Sequence, residues 1–496
     1  MIARKSDRMP VLGIDIGTQS LKVVILSDDL SLLGDGTSSY QPRYPQPGWA
    51  DQDSGFWAIA VKSAVATALE QAQLTPADIS AVGVASQLDG AMPCSADGTA
   101  LGPCILWLDR RATAEAECLE VDVVRNRTGL VRDATHMAPK IAWLRTHDAA
   151  GKAAALFHQP VTWMVHQLTG RAVIDHALAS TTMVYDLATQ DYAPDLLQAF
   201  GLDEHLLPSI ADAASIAGLM TAKGAALTGL LPGTPVAVGT GDDFASPLGS
   251  GVKPGMLACT LGTAEVVGAL HDQRVIDAGG LVETHGFAGG GYFIYNPGWL
   301  SGGVITWILD LLSVPSPEAL STLAASAPAG ADGILFLPSL SGAMAPEWEA
   351  NARGCFYGLT PAHTKAHCAR AVLEGLAFAM RDVLERLQSM GVPIDRIRLM
   401  GGGARSSIWP QIRADVTGLP IEVLDRVDAS PVGAAVLAAV ATGLHATVAG
   451  AASLAAGPVT MVQPDPAVKP VYDRAYARYH QLYHALKPLY TAPAVS

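Results

Sequence analysis

The chain has 496 residues, half of them hydrophobic and only 16% charged, with a formal net charge of −14. That length suits two to four domains at roughly 100–200 residues each, and the composition excludes a disordered chain. The negative balance argues against nucleic acid and anionic membrane as partners. It leaves a small anionic ligand open, because local backbone dipoles can outweigh a global field.

Strand-like apolar runs alternate with helical patterns, which predicts an α/β architecture. The first pair lies in GIDIGTQSLKVVIL, residues 13–26. Strands expected over 11–16 and 22–26 flank a tight turn bearing Asp15, Gly17, Thr18, Gln19 and Ser20, with Lys22 on the far side. A helix over 56–72 and a strand over 79–85 follow. ASQLDGAMPCSADGTALGPCILWLDRRA, residues 85–112, then puts Asp89 and Asp109 in or beside turns. Carboxylates there suit sugar hydroxyls, and surface turn acids are the commoner alternative. After a helix over 139–146, a strand at 236–239 runs into Gly239-Thr240-Gly241 and two acids, Asp242 and Asp243. Such an acid can accept a proton or sit near a metal, or simply cap a helix.

A break is expected at SPLGSGVKP, residues 246–254. Beyond it ACTLGTAEVVGAL, residues 258–270, echoes the opening stretch: strand, Leu-Gly-Thr, small polar step, strand. Gly17 and Gly262 lie 245 residues apart, close to half the chain, so duplication is the better reading. Glycine turns let backbone N–H groups approach an anion, so one turn per half would grip a polyphosphate between two domains; ordinary hairpins are the alternative. Strands at 292–296, 334–337 and 397–400 and a helix at 366–387 are expected next. LMGGGARSSIWPQIRADVTGLPIEV, residues 399–423, has the pattern of a nucleotide-binding turn, with a helix from Ser406 or Ser407. The most apolar long segment, 431–456, reads as a buried helix and loop rather than a membrane span, and 467–489 as a helix with aromatic spokes. His363 and His367 read as one helix face, not a metal site, since no HExxH accompanies them; G-x-S-x-G is absent too. Six scattered cysteines without CxxC, and no apolar core after MIARKSDRMP, make the cytoplasm the expected compartment.

Seven stretches keep one order along the chain: GIDIGTQSLK, PGWADQD, ILWLDRRA, GTGDDFASPLGSG, TLGTAE, LPSLSGAMAPEWEANARGCFYGLTPAHTKAH and GGGARSSIWPQIRADVTGLPI. In these the sequence resembles the FGGY carbohydrate kinases, and xylulokinase-like members most closely. The resemblance implies two actin-like, ribonuclease-H-like ATPase domains around a central cleft: residues 1–250 on the sugar side and 251–496 on the ATP side. It implies that Asp242 is the general base and a substrate contact, with Gln87, Leu88, Asp89, Trp107 and Asp109 completing the substrate set. Asp15 would face the phosphates and Mg²⁺, through water. Gly17, Thr18, Gln19, Ser20, Lys22, Gly262 and Thr263 would lie along the phosphates, and Gly402, Gly403, Ala404 and Ser407 along the adenosine half. The cofactors implied are ATP and Mg²⁺, the partner is a small sugar or polyol, and a homodimer is the family expectation.

Three positions depart from the pattern. Xylulokinases usually carry Met-His where this chain has Leu88-Asp89, an Asn where it has Leu108, and SGERTP where it has SGAMAP, residues 341–346. A carboxylate at 89 disfavours an acid sugar such as gluconate, because like charges in a closed site cost several kcal/mol. A ketopentose such as D-xylulose is the first expectation, with a tetritol, glycerol or ribulose close behind. Two other readings stay open: an actin-like ATPase or interaction protein without a sugar, against which Trp49, Asp89 and Asp109 suit a sugar pocket, and a sugar-binding protein that has lost catalysis.

Overall fold

The computed structural model describes residues 9–425 and 428–490; the basic opening residues considered above lie mostly outside that range. The run VLGIDI forms β1 (Val11–Ile16), and β2 (Ser20–Leu26) returns antiparallel to it. β3 (Leu32–Ser39) extends the sheet on that side, and α1 (Ser54–Ala72) lays Trp57, Ala60, Val61, Ala64 and Ala68 on it. β4 (Ala81–Ser86) pairs parallel with β1, so β1 is buried from both sides and reads as a nearly continuous apolar run. α2 (Met137–His147) buries Met137, Ala138, Ile141 and Leu144 in the same core. β5 (Ile216–Leu219), β6 (Pro235–Ala237) and the short β7 (Thr240–Gly241) complete it in the order β5-β6-β4-β1-β2-β3, with β7 also beside β4.

α3 (Asp242–Gly249) leads into a second sheet of the same plan. There β8 (Gly255–Leu261) and β9 (Ala264–His271) form the hairpin, followed by β10 (Glu283–Gly286) and β11 (Tyr292–Leu300). α4 (Gly302–Leu312), α5 (Pro317–Ala325) and the long α6 (Lys365–Ser389) come next. β12 (Ile394–Met400) runs parallel to β8 as β4 does to β1. α7 (Trp409–Thr417), β13 (Ile421–Leu424), α8 (Ala429–Ala441), β14 (Val459–Val462) and α9 (Lys469–Tyr490) close the chain, giving the order β10-β11-β9-β8-β12-β13-β14. The echo of GIDIGTQS in TLGTAE thus occupies the equivalent hairpin of each sheet.

α8 explains the apolar stretch near residue 431. It is apolar on all sides because it is buried on all sides. A Cβ on Gly13 of β1 would stand 1.9 Å from the Pro431 carbonyl oxygen, and one on Gly83 of β4 1.8 Å from that of Ala434, so α8 lies flush on the first sheet. α3 packs along α8, while its Phe244 meets Phe293 and Tyr295 of the second sheet edge-on. Each half therefore lends a helix to the seam between the sheets. The segment differs from the single helix and loop expected, since a further helix, Val448–Ala455, follows. Among the described residues no helix is long and apolar enough to cross a membrane.

Two local expectations fail for physical reasons. His363 and His367 do not share a helix: α6 begins at Lys365, and His363 Nδ1 instead accepts the Thr360 N–H at 2.8 Å. His367 caps α6 by accepting the Thr364 N–H at 3.1 Å. The helix expected from Ser406 or Ser407 begins at Trp409, after a tight turn of 3₁₀ helix over Gly402–Arg405.

Candidate active site

Two cavities of about 350 Å³ each meet at the tip of the β8–β9 hairpin, and Gly262 lines both. The first lies wholly on the second half. Leu261, Ile305, Leu309, Leu320, Leu373 and Trp409 give it an apolar interior. Gly402, Gly403, Ser406 and Ser407 form its rim, and nothing stands within 4 Å of a Cβ built on Gly402, so the backbone there is open to a ligand. Of the residues expected along the adenosine half, Gly402, Gly403 and Ser407 line this cavity, whereas Ala404 is buried behind the turn.

The second cavity lies between the halves. Thr18, Gln87, Leu88, Asp89, Trp107, Asp242 and Thr263 all line it, so most of the expected substrate residues come together there. A hydrogen-bond net fixes this wall. Trp107 Nε1 donates to Thr18 Oγ1 at 3.1 Å, Thr18 Oγ1 to Gln87 Oε1 at 3.1 Å, and Gln87 Nε2 to Gln52 Oε1 at 3.0 Å. Gln52, from PGWADQD, returns a bond to the Thr18 carbonyl at 2.9 Å. Thr18 therefore joins the first turn to this cavity wall.

Asp89 sits on a left-handed turn, φ 60°, a conformation that acids tolerate better than most side chains. Gln159 Oε1 accepts its N–H at 2.7 Å, and Lys140 Nζ donates to its carbonyl at 2.7 Å. Lys140 also bonds the Thr135 carbonyl, so one buried ammonium ties two walls of the cavity together; burial lowers it to about 8.

Asp242 opens α3 directly after β7. Burial pushes its carboxyl well above the usual range, and the carboxylates of Asp243 and Asp15 push it further. Burial likewise raises Asp243 to about 7 and Asp15 to about 6. Such values belong to groups waiting for a cation or a proton. Asp15 lines neither cavity; its Oδ1 is shut off from solvent with no hydrogen-bond partner among the described residues, and Lys22 and Ser430 lie close enough to offset part of the burial. An orphaned buried carboxylate oxygen fits the chemistry of Mg²⁺, which is usually held by one or two carboxylates together with substrate phosphates and water. Among the described residues no three His, Cys, Asp or Glu side chains cluster as a metal cage.

Several expected residues lie elsewhere. Asp109 lines neither cavity. It is fully buried and accepts from Ala50 N at 2.5 Å, Arg111 N at 2.9 Å and Arg111 Nη2 at 2.7 Å. Trp49, considered for the sugar pocket, lies under the same guanidinium, 3.9 Å from its ring centre. This Asp–Arg–Trp stack braces the wall from behind. The Gly17 and Gly262 N–H groups close their own hairpins, donating to Ser20 and Ala264 carbonyls at 2.9 Å. Lys22 pairs with Asp428, Gln19 is exposed, and Ser20 lines neither cavity. The second turn is instead anchored by Glu265, whose carboxylate takes both Arg413 terminal nitrogens and Ser301 Oγ, the last at 3.0 Å.

The sequence did not single out His136, Glu283 and Tyr295, which line the second cavity; Asp243, for which proton acceptor, metal neighbour and helix cap were all open, lines it too. No spacing marks them: His136 and Glu283 are 147 positions apart and meet only in the fold.

Comparison with known proteins agrees with this architecture. Residues 10–249 match the FGGY family of carbohydrate kinases, N-terminal domain, and residues 257–442 its C-terminal domain. A glycerol kinase of Bordetella parapertussis is 33% identical over 459 residues, 87% of this chain and 89% of that protein. One of Gloeobacter violaceus is 32% identical over 448 residues, 87% of this chain and 88% of that protein. The crystal structure of xylulose kinase from Rhodospirillum rubrum superposes with a TM-score of 0.89 at 28% identity, covering 97% of this chain and all of that one. On these matches the chain belongs to the FGGY family of carbohydrate kinases.

Proposed function

We propose that the protein transfers the γ-phosphoryl group of ATP to a hydroxyl of a small neutral ketose or polyol, with Asp242 as general base. The observation that carries this reading is the junction of the two cavities at Gly262. One has the apolar slot and glycine rim suited to a nucleoside; the other holds a carboxyl kept above its ordinary range. Residues 1–250 then form the sugar side and 251–496 the ATP side.

In this reading Asp242 accepts the proton of the attacking hydroxyl while Gln87, Asp89 and Trp107 orient the substrate. Thr263 and the Gly262 turn approach the phosphates from one side, and the Thr18 turn from the other. Mg²⁺, when bound, would neutralise phosphate charge, and Asp15 would hold it through water. Phosphoryl transfer asks the protein mainly for position and charge neutralisation, and both are built into rigid hairpins here. Closing the two halves on the seam of α3 and α8 would exclude water and limit ATP hydrolysis.

For the substrate, a pentulose such as D-xylulose is supported by the likeness to xylulose kinase structures, and glycerol by the names of the curated relatives. An ADP-release screen over ketopentoses, tetritols, glycerol and ketohexoses tests the reading. Release stimulated by at least one of them supports it; tight ATP binding with no response to any favours an ATPase without a sugar substrate.

A further inference from the structure

We propose that the buried Glu265–Arg413 ion pair is a positioning device for ATP: it fixes the Gly262–Thr263 turn, which approaches the phosphates, against the slot that takes the nucleoside. The inference rests on the kinase reading above and adds two positioning residues to it.

Neither side chain lines a cavity, and both are fully buried. Glu265 follows Thr263 by two positions, at the start of β9. Its neighbours Ala264 and Val266 line the second cavity, so strand alternation turns Glu265 the other way, into the core. There Arg413 Nη1 donates to Glu265 Oε1 at 2.5 Å and Nη2 to Oε2 at 2.7 Å. Sulfur atoms stand beside the guanidinium, with Met380 Sδ 3.0 Å and Cys259 Sγ 3.7 Å from Nη1. Such a pair is a poor route to stability, because taking two charges out of water offsets most of their attraction. A two-pronged contact between guanidinium and carboxylate does fix direction and register.

Contacts on each side of the pair reach the two parts of the ATP site. Ser301 Oγ donates to Glu265 Oε2 at 3.0 Å. The Ser301 and Gly302 N–H groups donate to the Thr263 and Gly262 carbonyls at 3.0 and 3.1 Å. The hairpin tip and the start of α4 are thereby one unit. On the other side, Arg413 stands one turn after Trp409 on α7, and its guanidinium lies 4.5 Å from the centre of that ring. Trp409 lines the first cavity, and its Nε1 donates at 3.1 Å to the carbonyl of Leu373, which lines it too. One ion pair therefore sets the phosphate turn at a fixed distance from the wall of the nucleoside slot. Adenosine needs only the slot; ATP must fit slot and turn together.

The experiment compares wild type, the double variant Glu265→Leu with Arg413→Met, and Arg413→Lys. It measures calorimetric affinities for MgATP and adenosine, the urea midpoint, and acceptor-stimulated ADP release. An apolar pair of similar volume commonly replaces a buried ion pair without loss of stability, so the double variant should keep its midpoint and its affinity for adenosine. Its affinity for MgATP should fall about tenfold, the worth of one charge-assisted hydrogen bond. Its kcat should fall about 10–100-fold, the scale of a misplacement of about 1 Å. Arg413→Lys, which keeps the charge without the fork, should lie between. A merely structural role would do the opposite, lowering the midpoint while the ATP-to-adenosine affinity ratio and the kcat of folded protein stay at wild type; that result overturns the inference. If the double variant does not fold, Arg413→Lys decides: an unchanged ratio overturns the inference, and so does its own failure to fold. The ratio needs no acceptor. A wild type that binds MgATP but releases no ADP for any acceptor overturns the kinase reading and leaves the pair to be judged on binding.

Discussion

Asp242 and Asp243 are adjacent acids with different surroundings, and their coupling is measurable. A base works only when deprotonated, so kcat should climb with pH through the Asp242 pKa. Burial raises that pKa and the Asp243 charge raises it further. Asp243→Asn removes the second contribution, so the acidic limb of the kcat–pH profile should move to lower pH; an unmoved limb would show that the two do not interact in the working enzyme. Lys140 offers a second test. Its two bonds hold the Asp89 turn and the Thr135 segment, so Lys140→Met should raise the KM for the sugar about tenfold while leaving that for ATP alone. The position of Asp242 was legible in the sequence, as an acid directly after Gly-Thr-Gly at a strand end, and the fold sets it on the second cavity. Asp109 was misread for the converse reason. A turn position says where a carboxylate sits but not which way it faces, and Arg111, two residues on, turns it inward.

At the level of elements, the strands were readable because β1, β8 and their partners are short apolar runs bounded by glycine and acids. β1 was expected over 11–16 and spans Val11–Ile16. α6 was readable from its three- and four-residue apolar steps. The placement of α8 on the opposite half's sheet was not, because nothing local joins residue 13 to residue 431. The glycine contacts make that placement testable. Gly83→Val puts a branched side chain where even a Cβ would stand 1.8 Å from the Ala434 carbonyl oxygen. It should destabilise the protein by at least about 1–3 kcal/mol, read as a lower urea midpoint, because overpacking forces backbone shifts. A midpoint equal to wild type would mean that α8 does not lie flush on the first sheet in solution.

For the whole molecule, the repeated plan of two sheets brings one hairpin tip from each half to a shared cleft, and the seam of α3 and α8 joins the halves behind it. Each hairpin could be recognised alone, and their order along the chain carried the family resemblance. The part of the cavity made by His136 and Glu283 could not be read, since the two come from different halves and meet only when the chain closes. The central claim is that phosphoryl transfer in this cleft depends on Asp242. The most direct measurement is acceptor-stimulated ADP release by Asp242→Asn beside wild type, with ATP and acceptor binding checked by thermal shift. A fall of roughly 10²–10⁴ with binding retained is expected on removing a general base. Release at close to the wild-type rate would contradict the account.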